Sequence, residues 1–141
     1  MGLNPNIWGS KAWFFLHSIA LNYPKYPTEK DKQDFKIFFE SLANVIPCPD
    51  CSEHYKNNIL KNPIDLNLNN NIDLNKWLVN IHNNVNIKNN KNVITYEHFL
   101  KNYKNIYDNN NSIVLHYIIP CLILIIIFFL ITYKIYHKFK L

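Results

Sequence analysis

From Ile113 to Thr132 the chain reads Ile-Val-Leu-His-Tyr-Ile-Ile-Pro-Cys-Leu-Ile-Leu-Ile-Ile-Ile-Phe-Phe-Leu-Ile-Thr, with no Asp, Glu, Lys or Arg. At helical rise this run spans about 30 Å, the thickness of a bilayer core. A soluble fold would need a far larger protein to bury such a helix, so residues 113–133 are read as a transmembrane helix followed by a short basic tail, 134–141. His116, Tyr117 and Tyr133 fall near its two interfaces, and Pro120 lies in its first turns. Cys121, inside the apolar run, reads as a small packing residue. What remains is a domain over residues 1–105 and an Asn-rich linker over 106–112. The first residues carry no apolar signal-peptide core, and Asn6 stands where a myristoylation signal requires Ser or Thr. This is a tail-anchor layout, which predicts a domain facing the cytosol. Lys134, Lys138 and Lys140 on the far flank oppose that topology, and Lys101 and Lys104 on the near flank reduce the conflict.

The soluble part shows helical periodicity throughout. Ala12, Trp13, Leu16, Ile19 and Ala20 repeat at helical spacing between Gly9 and Tyr23-Pro24. Thr28, with Asp31 three residues on, forms a capping box for a second helix, whose buried stripe is Phe35, Phe38, Phe39, Leu42 and Val45. A third helix starts at Cys48 and ends near Leu60, before Pro63. A fourth runs from about Asp73 to Ile87 with Leu74, Trp77, Leu78, Ile81 and Val85 on one face. A fifth, capped by Thr95, covers Tyr96 to about Tyr103. No strand pattern of comparable length competes, so the fold class is all-α, a small helical bundle.

Two strings carry chemistry. Cys48-Pro-Asp-Cys51 holds the two cysteines outside the apolar run. Pro49 suits a first helical position with Cys48 at the cap, where unpaired helix amides stabilise a thiolate. That fits a reversible disulfide. Zinc is the alternative, since Cys48, Cys51 and His54 form a Cys-x2-Cys-x2-His string that His82 or His98 could complete. The second string is His82-Asn83-Asn84-Val85-Asn86, which puts an imidazole and two amides on neighbouring positions of the fourth helix. Such a face is either solvated or a seat for a planar polar ligand. Trp13 and His17, one turn apart on the first helix, raise the same choice. Nucleic-acid binding is excluded on charge: the net +5 comes from scattered lysines with no arginine, and no basic stripe is interleaved with stacking aromatics.

Taken together, Trp8-Gly9-x3-Trp13-x2-Leu16-His17, Tyr23-Pro24, Cys48-x2-Cys51, and Trp77 through His82-Asn83-x-Val85-Asn86 resemble the Erv/ALR family of FAD-linked sulfhydryl oxidases over nearly all of residues 1–105. The resemblance implies a five-helix bundle in which four helices cradle the isoalloxazine of FAD and the fifth closes the adenine end. It leaves no role for zinc. It implies cofactor contacts from Gly9, Trp13, His17, Trp77, His82, Asn83, Val85 and Asn86, and phosphate contacts from Lys88 or Lys91. Cys51 is expected beside the flavin, with Cys48 as the outer sulfur that meets a dithiol protein substrate, thioredoxin-like or a virion protein. Electrons are expected to pass to dioxygen, giving hydrogen peroxide. A homodimer built on the first two helices is implied as well.

The chain also departs from the family's pattern. Val79 stands where the helix cysteine of a structural disulfide is expected, and no second Cys pair forms a mobile shuttle. Lys11 stands near a position that often holds Arg. Small chains lacking both accessory pairs look like the oxidases of large cytoplasmic DNA viruses, which implies direct electron transfer from a dedicated partner.

Overall fold

The computed structural model describes residues 2–113 and 118–139, with the side chains of 109–113 excepted. His116, Tyr117 and Lys140, assigned above to the ends of the span and to the tail, lie outside the described residues. The described residues form six α-helices and one 3-10 turn, with no strand among them: α1 (Pro5–Leu21), α2 (Glu29–Val45), α3 (Pro49–Lys61), the turn Ile64–Asn67, α4 (Asn71–Lys88), α5 (Tyr96–Ile113) and α6 (Ile119–Phe139). They divide into two compact units, Met1–Tyr96 and Glu97–Leu141.

In the first unit each helix start is fixed by a side chain that accepts an otherwise orphaned amide. Asn4 accepts from Asn6, Thr28 from Asp31 within a complete capping box, and Asn70 from Asp73. Cys48 does the same for α3, with Pro49 at the first position. The neighbours are antiparallel. Asn75 on α4 donates to the carbonyl of Ala20 on α1, while His82 meets His17. On α3, Tyr55 donates to the carbonyl of Phe39 and Ser52 to that of Ala43 on α2. Trp77 donates to the carbonyl of Asn62, so the end of α3 meets the first half of α4.

The core joins Ala20, Tyr23, Phe39, Tyr55, Leu74, Trp77, Leu78 and Ile81. Its buried hydroxyls and indole N–H all donate to main-chain carbonyls, Tyr23 reaching that of Leu68. This removes the cost of burying them unpaired. Trp13, Leu16, Ile19, Phe35, Phe38 and Leu42 pack against this core as expected. Val45 does not: it is 66% exposed. The last turn of α2 packs inward through Leu42 and Ala43, which leaves Val45 on its solvent side.

In the second unit α5 extends past its expected end at Tyr103 to Ile113, so the stretch 106–112, read as a linker, is helical. The physical reason is continued spacing: Phe99, Tyr103, Ile106 and Tyr107 keep apolar side chains on one stripe, and the Asn run extends the same helix. α6 is also displaced from the expected 113–133: it runs to Phe139, carrying most of the basic tail. It has a mean hydropathy of 2.3, is long and apolar enough to cross a membrane, and has no buried residue. Cys121 is exposed on it.

Leu78→Ala removes a side chain with 0% exposure from the centre of the first unit. It should cost about 2–5 kcal/mol of unfolding free energy. Val45→Ala should change it by less than about 0.5 kcal/mol. Urea unfolding followed by tryptophan fluorescence checks both, since all three tryptophans lie in this unit.

Candidate active site

Cys48 and Cys51 are joined as a disulfide across the first turn of α3, with Cα atoms 5.2 Å apart. Both are half-buried. The Cys51 amide points at the Cys48 sulfur, 3.3 Å away, so the helix-end donor serves Cys48. A negative charge on Cys48 is therefore the one the helix terminus stabilises. Among the described residues no three His, Cys, Asp or Glu side chains gather to hold a metal ion.

Antiparallel packing decides what else lies at this end of the bundle. His54, one turn beyond Cys51, has its pKa lowered by burial and by the positive charges of Lys88 and Lys61. Lys88 closes α4, so the start of α3 lies beside the end of α4 that carries Val85 and Asn86. Because α1 runs against α4 with His17 opposite His82, the earlier turns of α1, including Gly9, run toward the same end. Gly9 has no atom within 4 Å of where a Cβ would sit, which leaves bare backbone facing open space.

Trp13, His17 and His82 form one cluster. The Trp13 and His82 rings stack with centroids 4.0 Å apart and planes 7° from parallel. His17 Nε2 and His82 Nδ1 share a hydrogen bond of 3.0 Å. Burial and the neighbouring His82 push the His17 pKa down to about 3. Burial and Lys91 push that of His82 down to about 4. Both rings are neutral at physiological pH, and each can present one donor and one acceptor. Asn86, one turn beyond His82, offers an amide from the same face.

The end of α4 brings two cations to this face. Asn90 adopts φ 54, and the amides of Asn90 and Lys91 return to the carbonyls of Ile87 and Asn86. This is a Schellman closure with Asn at the left-handed position. It reverses the chain, and Lys91 comes back within electrostatic reach of His82.

Two residues expected at a cofactor have their polar atoms committed to the backbone. Trp77 is 4% exposed, edge-on to Phe39, with its N–H committed to Asn62. It is a core residue because its position on α4 faces α3 and α2. Asn83 uses both ends of its amide on the backbone of Ile94, donating at 2.8 Å and accepting at 3.0 Å. It pins the segment after α4 through both ends of its amide. Val85 is half-buried, and Val79 is buried in the core where a bridging cysteine is expected. Gly2 and Leu3, which lie against the redox pair, gave no signal in the sequence.

The sequence model of the Erv1 / Alr family matches residues 10–105. A probable FAD-linked sulfhydryl oxidase of Acanthamoeba polyphaga mimivirus is 38% identical over 67% of this chain and 66% of its own length. The FAD-linked sulfhydryl oxidase of an African swine fever virus isolate is 34% identical over 73% of this chain and 82% of its own. The Arabidopsis thaliana FAD-linked sulfhydryl oxidase ERV1 is 33% identical, but the alignment spans only 38% of it. The crystal structure of the FAD binding domain of Erv1 from Saccharomyces cerevisiae superposes with a TM-score of 0.68 at 27% identity, over 73% of this chain and 96% of that one. With a bundle, a helix-capping cysteine pair and a family match that all agree, the chain belongs to the Erv1 / Alr family.

Proposed function

We propose that the chain is an FAD-dependent thiol oxidase that forms disulfides in a partner dithiol protein through Cys48 and Cys51, with dioxygen as the final acceptor and hydrogen peroxide as product. The observation that carries this is the convergence at one end of a four-helix bundle of a disulfide, a stacked Trp13–His82 seat and the lysines closing α4. The residues fit the cofactor. A flat aromatic face, bare backbone at Gly9 and a neutral His–His pair suit a planar ring with polar edges. Lys88 and Lys91 suit a diphosphate. When bound, FAD accepts an electron pair from a thiolate and passes it to dioxygen.

The chain's own residues do the thiol chemistry. A substrate thiolate attacks the Cys48 sulfur, forming a mixed disulfide and releasing Cys51 as the thiolate. A second substrate thiol then attacks the substrate sulfur of that mixed disulfide. Cys48 leaves as a thiolate, favoured by the Cys51 amide that points at it. The thiolate of Cys51 then attacks Cys48 to restore their bond, and the electron pair this releases is what the bound cofactor would take up. Overall, a dithiol and dioxygen give a disulfide and hydrogen peroxide. Membrane attachment through α6 fits the apolar exposure of that helix. A homodimer on α1 and α2 is supported by Ile7, Phe15 and Ile37, exposed at 69%, 62% and 55%.

The full chain purified in detergent should show the absorption of oxidised flavin and consume oxygen with dithiothreitol. Cys51→Ser should abolish turnover while flavin stays bound. A colourless protein that remains colourless after FAD is added contradicts the proposal.

The neutral histidines predict an acid-labile fold. Below the ordinary histidine pKa of about 6.5 the unfolded chain binds protons that buried His17 and His82 refuse. Stability should thus hold above that pH and fall steadily as pH drops toward the folded values of about 3 and about 4. His17→Gln should flatten this fall, as read from urea midpoints at pH about 5 and about 7.5.

A further inference from the structure

The segment before α1 does not hang free. The Leu3 amide donates to the carbonyl of Pro47 at 2.6 Å, and the Trp8 indole N–H donates back to the carbonyl of Leu3 at 3.4 Å. Asn4 then caps α1. Gly2 is packed so closely on the redox motif that a Cβ there would stand 2.7 Å from Cδ of Pro49 and 3.2 Å from Cα of Cys48. Neither atom can yield cheaply: one belongs to the proline ring that opens α3, the other to the backbone of the cysteine itself.

We propose that Gly2 and Leu3 form a strap that positions Cys48 for thiol exchange, with Gly2 required because any side chain would push the strap off Pro49 and Cys48. The step at which the strap matters follows from the chemistry. In the oxidised state the Cys48–Cys51 bond itself fixes Cys48. Once a substrate thiolate has opened that bond, the backbone at Cys48 is held by its contacts with Ile46, Ser52 and the cap, and through Pro47 by Leu3. The strap keeps the 47–48 peptide in place while the mixed disulfide is presented to the second thiol. It also joins the starts of α1 and α3, so the helix that carries Gly9 and Trp13 and the helix that carries the cysteines move as one piece.

This rests on the reading of Cys48 as the substrate-facing sulfur, and the two are tested separately. Full-length Gly2→Ala, Gly2→Val, Leu3→Pro and Leu3→Ala, purified in detergent with flavin bound, are mixed anaerobically with dithiothreitol, and bleaching of the flavin is followed. Reoxidation of the reduced flavin by dissolved oxygen is measured on the same samples. Gly2→Val and Leu3→Pro should slow bleaching about fivefold, the effect of losing one well-placed hydrogen bond. Gly2→Ala should fall between them and the parent, and Leu3→Ala, which keeps the amide, should follow the parent. Flavin content and the reoxidation rate should be the same in all.

Parent-like bleaching in both Gly2→Val and Leu3→Pro overturns the proposal. So does a parallel loss of flavin content and reoxidation, which would make the strap a mere element of the fold. The underlying reading is checked with glutathione disulfide, which should modify Cys48 in Cys51→Ser faster than Cys51 in Cys48→Ser. The opposite order overturns that reading and the strap's role with it, whereas the expected order combined with parent-like bleaching removes the strap alone.

Discussion

The first unit depends on keeping two imidazoles uncharged in the seam between α1 and α4. His17 is 1% exposed and bonded to His82, whose ring lies flat on Trp13. A proton on either ring would place a cation in an apolar seam already near Lys91, and the seam would have to open. The same pairing sets the register of the two helices, because Asn75 then meets Ala20 two turns away. With α4 fixed on α1, α3 is aligned by Trp77 and Asn62, and α2 is aligned on α3 by Tyr55 and Ser52. The position of the disulfide follows from this series of antiparallel contacts.

Function grows from the helix ends. Cys48 is at once a cap and a sulfur nucleofuge, and these two roles reinforce one another: the amide that the cap satisfies is the one that stabilises a thiolate. The Schellman closure after Lys88 likewise ends a helix and returns a cation toward His82. Redox chemistry, cation placement and fold termination therefore use the same few backbone groups, which is how a unit of fewer than a hundred residues accommodates a site of this kind.

Much of this was legible in the sequence. Capping pairs such as Thr28 with Asp31 and Cys48 before Pro49 are local signals, and the structure shows both. Trp13, His17 and His82 could be singled out because helical spacing puts Trp13 and His17 on one face and because the His-Asn string is rare. What escaped was long-range. Spacing puts Trp77 on the apolar stripe of α4 with Leu74 and Leu78, and that is where it lies, but nothing in spacing tells that Asn83 turns to the backbone of Ile94. The contact of Gly2 with Pro49 joins residues far apart in sequence and leaves no periodic trace. The Asn-rich end of α5 has the composition of a loop, but the apolar stripe continues through it and the helix with it.

The central claim is the division of labour between the two sulfurs, Cys51 toward the flavin and Cys48 toward substrate. It is tested most directly by the visible absorption spectra of the flavin-loaded Cys48→Ser and Cys51→Ser proteins. A lone Cys51 thiolate against the ring should give a broad long-wavelength charge-transfer band in Cys48→Ser that fades on acidification, and Cys51→Ser should show none. A band in Cys51→Ser and its absence in Cys48→Ser would contradict the account.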